Sequence, residues 1–136
     1  MNKICTSIEQ SKKLIELGID VNTADMYYPN RVSIDNLYYP KRVGKDNYVL
    51  PIVWKIGHPL LSQEIPCWSL TALLNIIPKH IKEYNTLRID IGEKDFSIWY
   101  DEIGYGVNTE LPDITMENPV DACVEMIIKL KELNLL

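Results

Sequence analysis

The C-terminal segment has the clearest helical pattern in the chain. Asn118 can cap a helix, Pro119 suits its first position, and Asp121 complements the helix dipole in the first turn. We therefore predict a helix that runs to about Leu133. Its apolar positions cover a wide arc, namely Val120, Cys123, Val124, Met126, Ile127, Leu130 and Leu133. A helix with so wide an apolar face is expected to pack across a sheet.

Two shorter helices are predicted nearer the N-terminus. Residues 6–9, Thr-Ser-Ile-Glu, fit a capping box, and Gly18 can end the helix that follows. Its apolar stripe is predicted to consist of Ile4, Ile8, Ser11 and Ile15, with Leu14 beside it. A central helix is predicted between a cap at Ser69 and a stop at Pro78. Its apolar face comprises Leu70, Leu73, Leu74 and Ile77.

A period of two replaces the helical period over residues 87–107, which predicts a β-meander. Apolar and polar residues alternate over 87–91 and again over 96–100, with a Gly-Glu-Lys-Asp turn between them. These two segments predict a hairpin. The alternation continues through Ile103, Tyr105 and Val107, which predicts a third strand.

Strand-like segments also precede the central helix. Residues 19–28 favour an extended strand, and residues 48–57 favour another that Pro51 interrupts or confines to an edge. No low-complexity tract or flexible linker divides the chain. We therefore predict a single α+β domain over residues 1–136, in which about three helices pack on an antiparallel sheet made of the meander and the N-terminal strands or hairpin.

Residues 26–47 contain an eleven-residue tandem repeat, MYYPNRVSIDN followed by LYYPKRVGKDN, with seven identical positions. A duplicated strand and turn is the first interpretation, because Tyr-Tyr suits a strand and Asp-Asn suits a turn. The alternative is a platform for single-stranded nucleic acid, in which aromatic rings stack on bases and cations meet phosphates. Its candidate binding surface comprises Tyr27, Tyr28, Arg31, Tyr38, Tyr39, Lys41 and Arg42.

Composition and charge narrow the function classes. A chain of 136 residues with 46% hydrophobic positions can build one ordinary core. Its net charge of −5 argues against a surface that tracks nucleic acid throughout. Residues 26–47 carry a balance of +2, whereas residues 90–117 carry eight carboxylates and one lysine, a balance of −7. A candidate acidic surface therefore comprises Asp90, Glu93, Asp95, Asp101 and Glu102. A solvated face is the first interpretation, and the alternatives are contact with a basic partner, imitation of nucleic-acid charge and self-association.

The cysteines predict buried, reduced thiols in a cytoplasmic protein. Cys5, Cys67 and Cys123 are far apart and lack the spacing of a zinc site or a CxxC motif. The N-terminus lacks the apolar core of a secretory signal, and no apolar run is long enough to span a membrane.

Cys67 lies just before the central helix, where a thiol pKa can be lowered, with His58 or His80 as a possible base. A Cys67-dependent hydrolase is nevertheless disfavoured, because no nucleophile signature surrounds the cysteine, and no catalytic residue, metal or cofactor is assigned.

Three stretches carry a resemblance to known sequences: CTSIEQSKKLIELGIDVNTADMYY, PCWSLTALLNIIPK and ENPVDACVEMIIKLKELNLL. Together they resemble a group of small uncharacterised proteins that recur in gut-bacterial genomes and their phages or other mobile elements. The resemblance implies a bacterial or phage cytoplasmic setting and an accessory role. It carries over no activity, cofactor or catalytic residue, and the doubled Tyr-Tyr-Pro phrase is not a feature of the group.

The leading hypothesis is a non-enzymatic binding or regulatory module that acts through protein contacts or self-association. Binding of single-stranded nucleic acid is the alternative, and salt-dependent affinity would distinguish it.

Overall fold

The computed structural model describes residues 3–29, 32–34, 37–39, 51–53, 64–82, 85–102 and 111–136. The chain forms two compact units: an N-terminal unit, Cys5–Ser69, and a C-terminal unit that joins Met1–Ile4 to Leu70–Leu136. Within the described residues, three α-helices and antiparallel sheets of three and four strands confirm the predicted α+β class. The single domain over residues 1–136 stays a prediction.

The N-terminal unit combines one helix with short strands. Its elements are α1 (Ile8–Glu16), β1 (Met26–Tyr28), β2 (Val32–Ile34), β3 (Leu37–Tyr39), β4 (Ile52–Val53) and β5 (Ile65–Cys67). Strand β1 lies between β4 and β5 in an antiparallel sheet, and β2 pairs with β3. The strand predicted over 19–28 is therefore confined to its last three residues, because a single turn of 3-10 helix occupies Val21–Thr23.

The C-terminal unit is a four-stranded meander with two helices. Its elements are α2 (Leu70–Ile76), β6 (His80–Ile81), β7 (Asn85–Ile91), β8 (Phe96–Glu102), β9 (Asp113–Met116) and α3 (Pro119–Glu132). The strand order is β6-β7-β8-β9, and every pairing is antiparallel. The predicted hairpin is confirmed as β7 and β8. The strand predicted at Ile103–Val107 lies outside the described residues, and the described third strand of the meander is β9.

Helix α3 begins as predicted and packs against β8, β9 and α2. The Asn118 Oδ1 accepts hydrogen bonds from the backbone N–H groups of Val120, at 2.9 Å, and Asp121, at 3.2 Å. The predicted apolar arc is buried apart from Leu133, which is 42% exposed. The prediction that this helix packs across a sheet is confirmed, since Ile98 and Ile114 of the sheet are buried in the same unit.

Helix α1 begins one residue later than predicted, because Ser7 rather than Thr6 is its N-cap. The Ser7 Oγ accepts from the Gln10 N–H at 3.1 Å, and the Gln10 Oε1 accepts from the Ser7 N–H at 3.0 Å. The Thr6 side chain is instead fully buried. Its hydroxyl lies 2.8 Å from the Ser11 Oγ and accepts from the Trp68 N–H at 3.0 Å.

The apolar stripe predicted for α1 is buried only in part. Ile4 is 59% exposed and Ile15 is 38% exposed, whereas the buried residues of the helix are Ser11 and Leu14. A serine can occupy the buried face because the Thr6 hydroxyl satisfies its hydrogen bond there. The buried face of α1 is therefore centred on Ser11 and Leu14, and the two ends of the predicted stripe, Ile4 and Ile15, are exposed.

We expect a Thr6→Val variant to be less stable than wild type by about 1–3 kcal/mol, because valine leaves the Trp68 N–H and the Ser11 hydroxyl without this buried partner. A Ser7→Ala variant, which loses only the cap, should cost about 1 kcal/mol. Urea unfolding of both variants measures the two effects. A Thr6→Val protein as stable as wild type would contradict the buried role of Thr6.

Candidate functional site

The four-stranded sheet presents two different faces. Alternation along β8 places Phe96, Ile98 and Tyr100 on the buried face. The side chains between them lie on the opposite face, which we name the open sheet face. The register arranges it in three rows of three: His80, Thr86 and Asp101; Arg88, Trp99 and Asp113; and Asp90, Ser97 and Thr115.

Trp99 lies at the centre of the open sheet face. Arg88 is its direct neighbour on β7 and Asp113 its direct neighbour on β9. The indole is partly exposed, whereas Arg88 and Asp113 are exposed. Because direct neighbours in an antiparallel pair have Cβ atoms about 5 Å apart, both charged side chains can border the indole ring.

Polar contacts connect the residues around Trp99. The Arg88 Nε donates to the Asp101 Oδ2 at 3.4 Å, in an exposed ion pair. The Ser97 and Thr115 hydroxyl oxygens lie 2.8 Å apart, and the Thr86 hydroxyl lies 3.4 Å from the His80 Nδ1. An aromatic centre with a polar rim therefore occupies this face.

The open sheet face is acidic. Asp90, Asp101 and Asp113 carry three negative charges, and Arg88 carries one positive charge, so the balance is −2 with His80 neutral. An exposed ion pair contributes little to stability, so Arg88 and Asp101 remain available to a partner at small cost. The arrangement can attract a cation to the indole and can repel a phosphate.

The residues of the predicted acidic surface fall into two groups. Asp90 and Asp101 belong to the open sheet face, whereas Glu93 and Asp95 are exposed in the turn between β7 and β8. In that turn the Gly92 N–H donates to the Asp95 carbonyl oxygen at 2.9 Å. The backbone of Glu102 pairs with that of Asn85 on β7. The structure thus brings together two of the five predicted acidic residues.

The tyrosines of the tandem repeat lie on two different sheets. Tyr27 and Tyr28 are neighbours on β1, so their side chains point to opposite faces. The Tyr28 hydroxyl donates to the Thr6 carbonyl oxygen at 2.6 Å, and burial raises its pKa. Burial, with the Glu64 carboxylate, raises the pKa of Tyr27.

The second copy of the repeat contributes β3, which pairs with β2 and not with β1. The backbones of Tyr38 and Tyr39 lie on β3. The predicted cations Arg31, Lys41 and Arg42 lie outside the described residues. Tyr27 and Tyr28 cannot both face one ligand, and the nucleic-acid surface as a whole stays a prediction.

Cys67 does not have the environment of a catalytic thiol. Its side chain is fully buried. A hydrogen bond with Cys5, together with burial, raises the pKa of the Cys67 thiol. Burial likewise raises the pKa of Cys123 to about 12. Both groups are neutral thiols near pH 7, and a neutral thiol is a poor nucleophile.

The described residues contain neither a cluster of potential metal ligands nor a helix that could span a membrane. In the described part of the chain, no group of three or more His, Cys, Asp and Glu residues is placed to hold a metal ion. None of the helices in the described ranges is long and apolar enough to cross a membrane.

Comparison with protein-family models, with curated proteins and with solved structures found no match. Without a relative, the residues of the open sheet face are the basis on which a function can be inferred.

Sequence reasoning missed the two central residues of this face, Trp99 and Arg88. The signal was present in the period of two: Trp99 stands between Ile98 and Tyr100, so alternation places it on the polar face. What the sequence lacks is the register, which brings residue 88 beside residue 99 and residue 113 on the other side.

Proposed function

We propose that this protein is a non-enzymatic binding module whose open sheet face docks a basic segment of a partner protein. The observation that carries the proposal is the partly exposed Trp99 at the centre of a rim with three carboxylates. Tryptophan and arginine are enriched among the residues that dominate protein interfaces, and such residues are usually surrounded by polar contacts that exclude water.

The charge of the rim selects the chemistry of the partner. A guanidinium or ammonium group over the indole would gain a cation–π interaction and could pair with Asp90 or Asp113. A nucleic-acid backbone would meet the same carboxylates with an unfavourable charge. The acidic balance therefore favours a basic protein segment over a nucleic acid at this face.

The geometry of the site also suits binding better than catalysis. The face lies on regular antiparallel strands, and hydrogen bonds join Arg88 to Asp101 and Ser97 to Thr115 across it. A rigid sheet loses little conformational freedom when a partner docks, which keeps the cost of association low. The accessory role implied by the sequence resemblance is compatible with such a module.

The test uses a short fluorescein-labelled peptide of alternating arginine and serine, titrated against the full chain and followed by fluorescence anisotropy and amide chemical shifts. We expect saturable binding, with shift changes centred on β7, β8 and β9. Trp99→Ala should weaken binding by about tenfold or more, because it removes the aromatic centre. Asp113→Asn should weaken it by roughly two- to fivefold, which is the range of an exposed ion pair.

A charge-matched variant and two other ligands serve as controls for the binding of the arginine peptide to the open sheet face. Glu9→Gln removes one negative charge from the exposed first turn of α1 and should leave the affinity unchanged. A lysine–serine peptide should bind more weakly than the arginine peptide, since arginine is the more frequent partner of aromatic rings. Equal affinities for wild type and Trp99→Ala would overturn the proposal, as would an oligothymidine that binds this face more tightly than the peptide does.

A further inference from the structure

Two of the three thiols lie together in the N-terminal unit. Cys5 forms an isolated antiparallel bridge with Ser69, and Cys67 pairs with Met26 on β1. Residues 67 and 69 are two positions apart and therefore face the same side of the chain. Cys5, Met26 and Cys67 consequently pack as one buried cluster, against which Tyr28 is also placed.

Hydrogen bonds hold the segment that carries Cys5 against the segment that carries Cys67. The Thr6 N–H donates to the Trp68 carbonyl oxygen at 2.9 Å, and the Trp68 N–H donates to the Thr6 Oγ1 at 3.0 Å. Ser69 is fixed in turn by Asp25, whose Oδ1 accepts from the Ser69 N–H at 2.9 Å. The segment that contains Cys5 and Thr6 is thus held beside the segment that contains Cys67 and Trp68.

The Cys5 and Cys67 side chains belong to the same buried cluster. The raised pKa of the Cys67 thiol has interaction with Cys5 as its leading cause. The Cys5 Sγ also lies 3.6 Å from the Tyr28 Oη. Because the Tyr28 hydroxyl gives its proton to the Thr6 carbonyl, the Cys5 thiol is the donor in its contact with Tyr28.

We propose that Cys5 and Cys67 are a redox modification site, at which hydrogen peroxide converts the two thiols into a reversible disulfide. Cys5 is 3% exposed and Cys67 is 0% exposed, so Cys5 reacts first. Its thiolate attacks one peroxide oxygen, the O–O bond breaks, and Cys5 becomes a sulfenic acid while one water is released. The Cys67 thiol then gives up its proton as its sulfur attacks the Cys5 sulfur. The S–O bond breaks, and the departing hydroxyl group takes up that proton and leaves as a second water.

The electron and proton balance is complete. The two thiols lose two electrons and two protons, and the peroxide gains both and becomes two waters. A dithiol reductant reverses the reaction by thiol–disulfide exchange. Because both sulfurs are buried, the reaction suits a slow stoichiometric response rather than rapid turnover.

The cross-link would have a large effect on the N-terminal unit. That unit is Cys5–Ser69, so a bond between residues 5 and 67 ties its two ends together and encloses the tandem repeat at 26–47. A long closed loop restricts the unfolded chain strongly, which stabilises the folded state. Cys123 is equally buried but belongs to the C-terminal unit, so it serves as the internal control.

The experiment exposes the full-length protein to hydrogen peroxide, blocks the remaining thiols by alkylation under denaturing conditions, and maps the peptides by mass spectrometry. We expect the intact monomer to lose two hydrogen atoms, with a peptide pair joined through Cys5 and Cys67 and with Cys123 alkylated. The Tm of the oxidised protein should rise by roughly 5–15 °C and return to its first value after dithiothreitol treatment.

Cysteine variants show which two thiols form the cross-link and cause the rise in Tm. Cys123→Ala should form the same cross-link as wild type, whereas Cys67→Ala should form none and should show no rise in Tm. The mapping on wild type stays decisive even if Cys67→Ala folds poorly. Three alkylated thiols after peroxide treatment of folded wild type would overturn the proposal, and so would a disulfide that contains Cys123 or joins two chains.

Discussion

A Trp68→Ala substitution is expected to lower the free energy of unfolding by about 3–5 kcal/mol, a large share of the 5–15 kcal/mol typical of a folded protein. Trp68 is 0% exposed, and among the residues that the structure describes it is the largest fully buried side chain. Its Nε1–H donates to the Thr23 hydroxyl at 2.9 Å, so truncation also removes a hydrogen bond. Denaturant unfolding, with the midpoint and the slope compared between variants, measures the loss.

Two further variants separate the packing of Trp68 from its hydrogen bond. Trp68→Phe keeps an aromatic ring but loses the Nε1–H, and we expect it to cost distinctly less than Trp68→Ala. Trp99→Ala removes the same side chain from the partly exposed centre of the open sheet face and should cost less still. If Trp99→Ala destabilised the protein as much as Trp68→Ala, the distinction between a buried tryptophan and a binding tryptophan would fail.

The protein is expected to lose stability steeply above pH 9. Burial raises the pKa of Cys123 from 9.0 to about 12 and raises that of Tyr100 as well, while Cys5 and burial raise that of Cys67. These groups keep their protons in the folded state at a pH where the unfolded chain releases them. Because the unfolded state then binds fewer protons, the free energy of unfolding falls as pH rises.

The size of this effect follows from the shift of Cys123. One pKa unit corresponds to about 1.4 kcal/mol, so Cys123 contributes stability that is complete below pH 9 and decreases by roughly 4 kcal/mol as the pH approaches 12. Urea unfolding at intervals from pH 7 to pH 11 measures the slope. The Tyr100 hydroxyl, which donates to the Pro78 carbonyl oxygen at 2.6 Å, should add to the slope in the same direction.

A Cys123→Ala variant is the matched control for the pH effect. It removes the titrating thiol from a fully buried position, so its free energy of unfolding should fall less steeply than that of wild type between pH 9 and pH 11. A small loss at pH 7 from the missing sulfur should be constant with pH. Two parallel curves would contradict the assigned role of the buried thiol.

The elements with strong local signals could be predicted from the sequence. Helix α3 combines a cap at Asn118, Pro119 at its first position and a wide apolar arc, and all three act locally. The β7–β8 hairpin was equally visible, because its alternation continues on both sides of a short polar turn. In both places local propensity and tertiary packing favour the same structure.

Elements whose boundaries depend on distant partners were predicted less well. The N-cap of α1 is Ser7 because Thr6 is engaged by Trp68, which lies 62 positions away in the sequence. Strand β9 has only four residues, and its place in the sheet is fixed by pairing with β8. Neither fact can be obtained from the neighbouring residues alone.

The candidate site likewise has features that the sequence predicts and features that depend on distant partners. Composition predicted an acidic surface that includes Asp90 and Asp101, and alternation could have placed Trp99 on the same face. The row of Arg88, Trp99 and Asp113 required the register of three strands. Charge content is thus a property of the sequence, whereas the pattern that a partner would contact is a property of the sheet.

The division of the chain into its two units has a consequence for how the protein is made. The N-terminal unit is one uninterrupted segment, Cys5–Ser69, so it is complete once its last residue leaves the ribosome. The other unit joins Met1–Ile4 to a segment that begins at Leu70, and Lys3 pairs with Asp121 at 2.6 Å across 118 positions of sequence. Lys3 therefore reaches this native contact only after the segment that contains Asp121 has been synthesised.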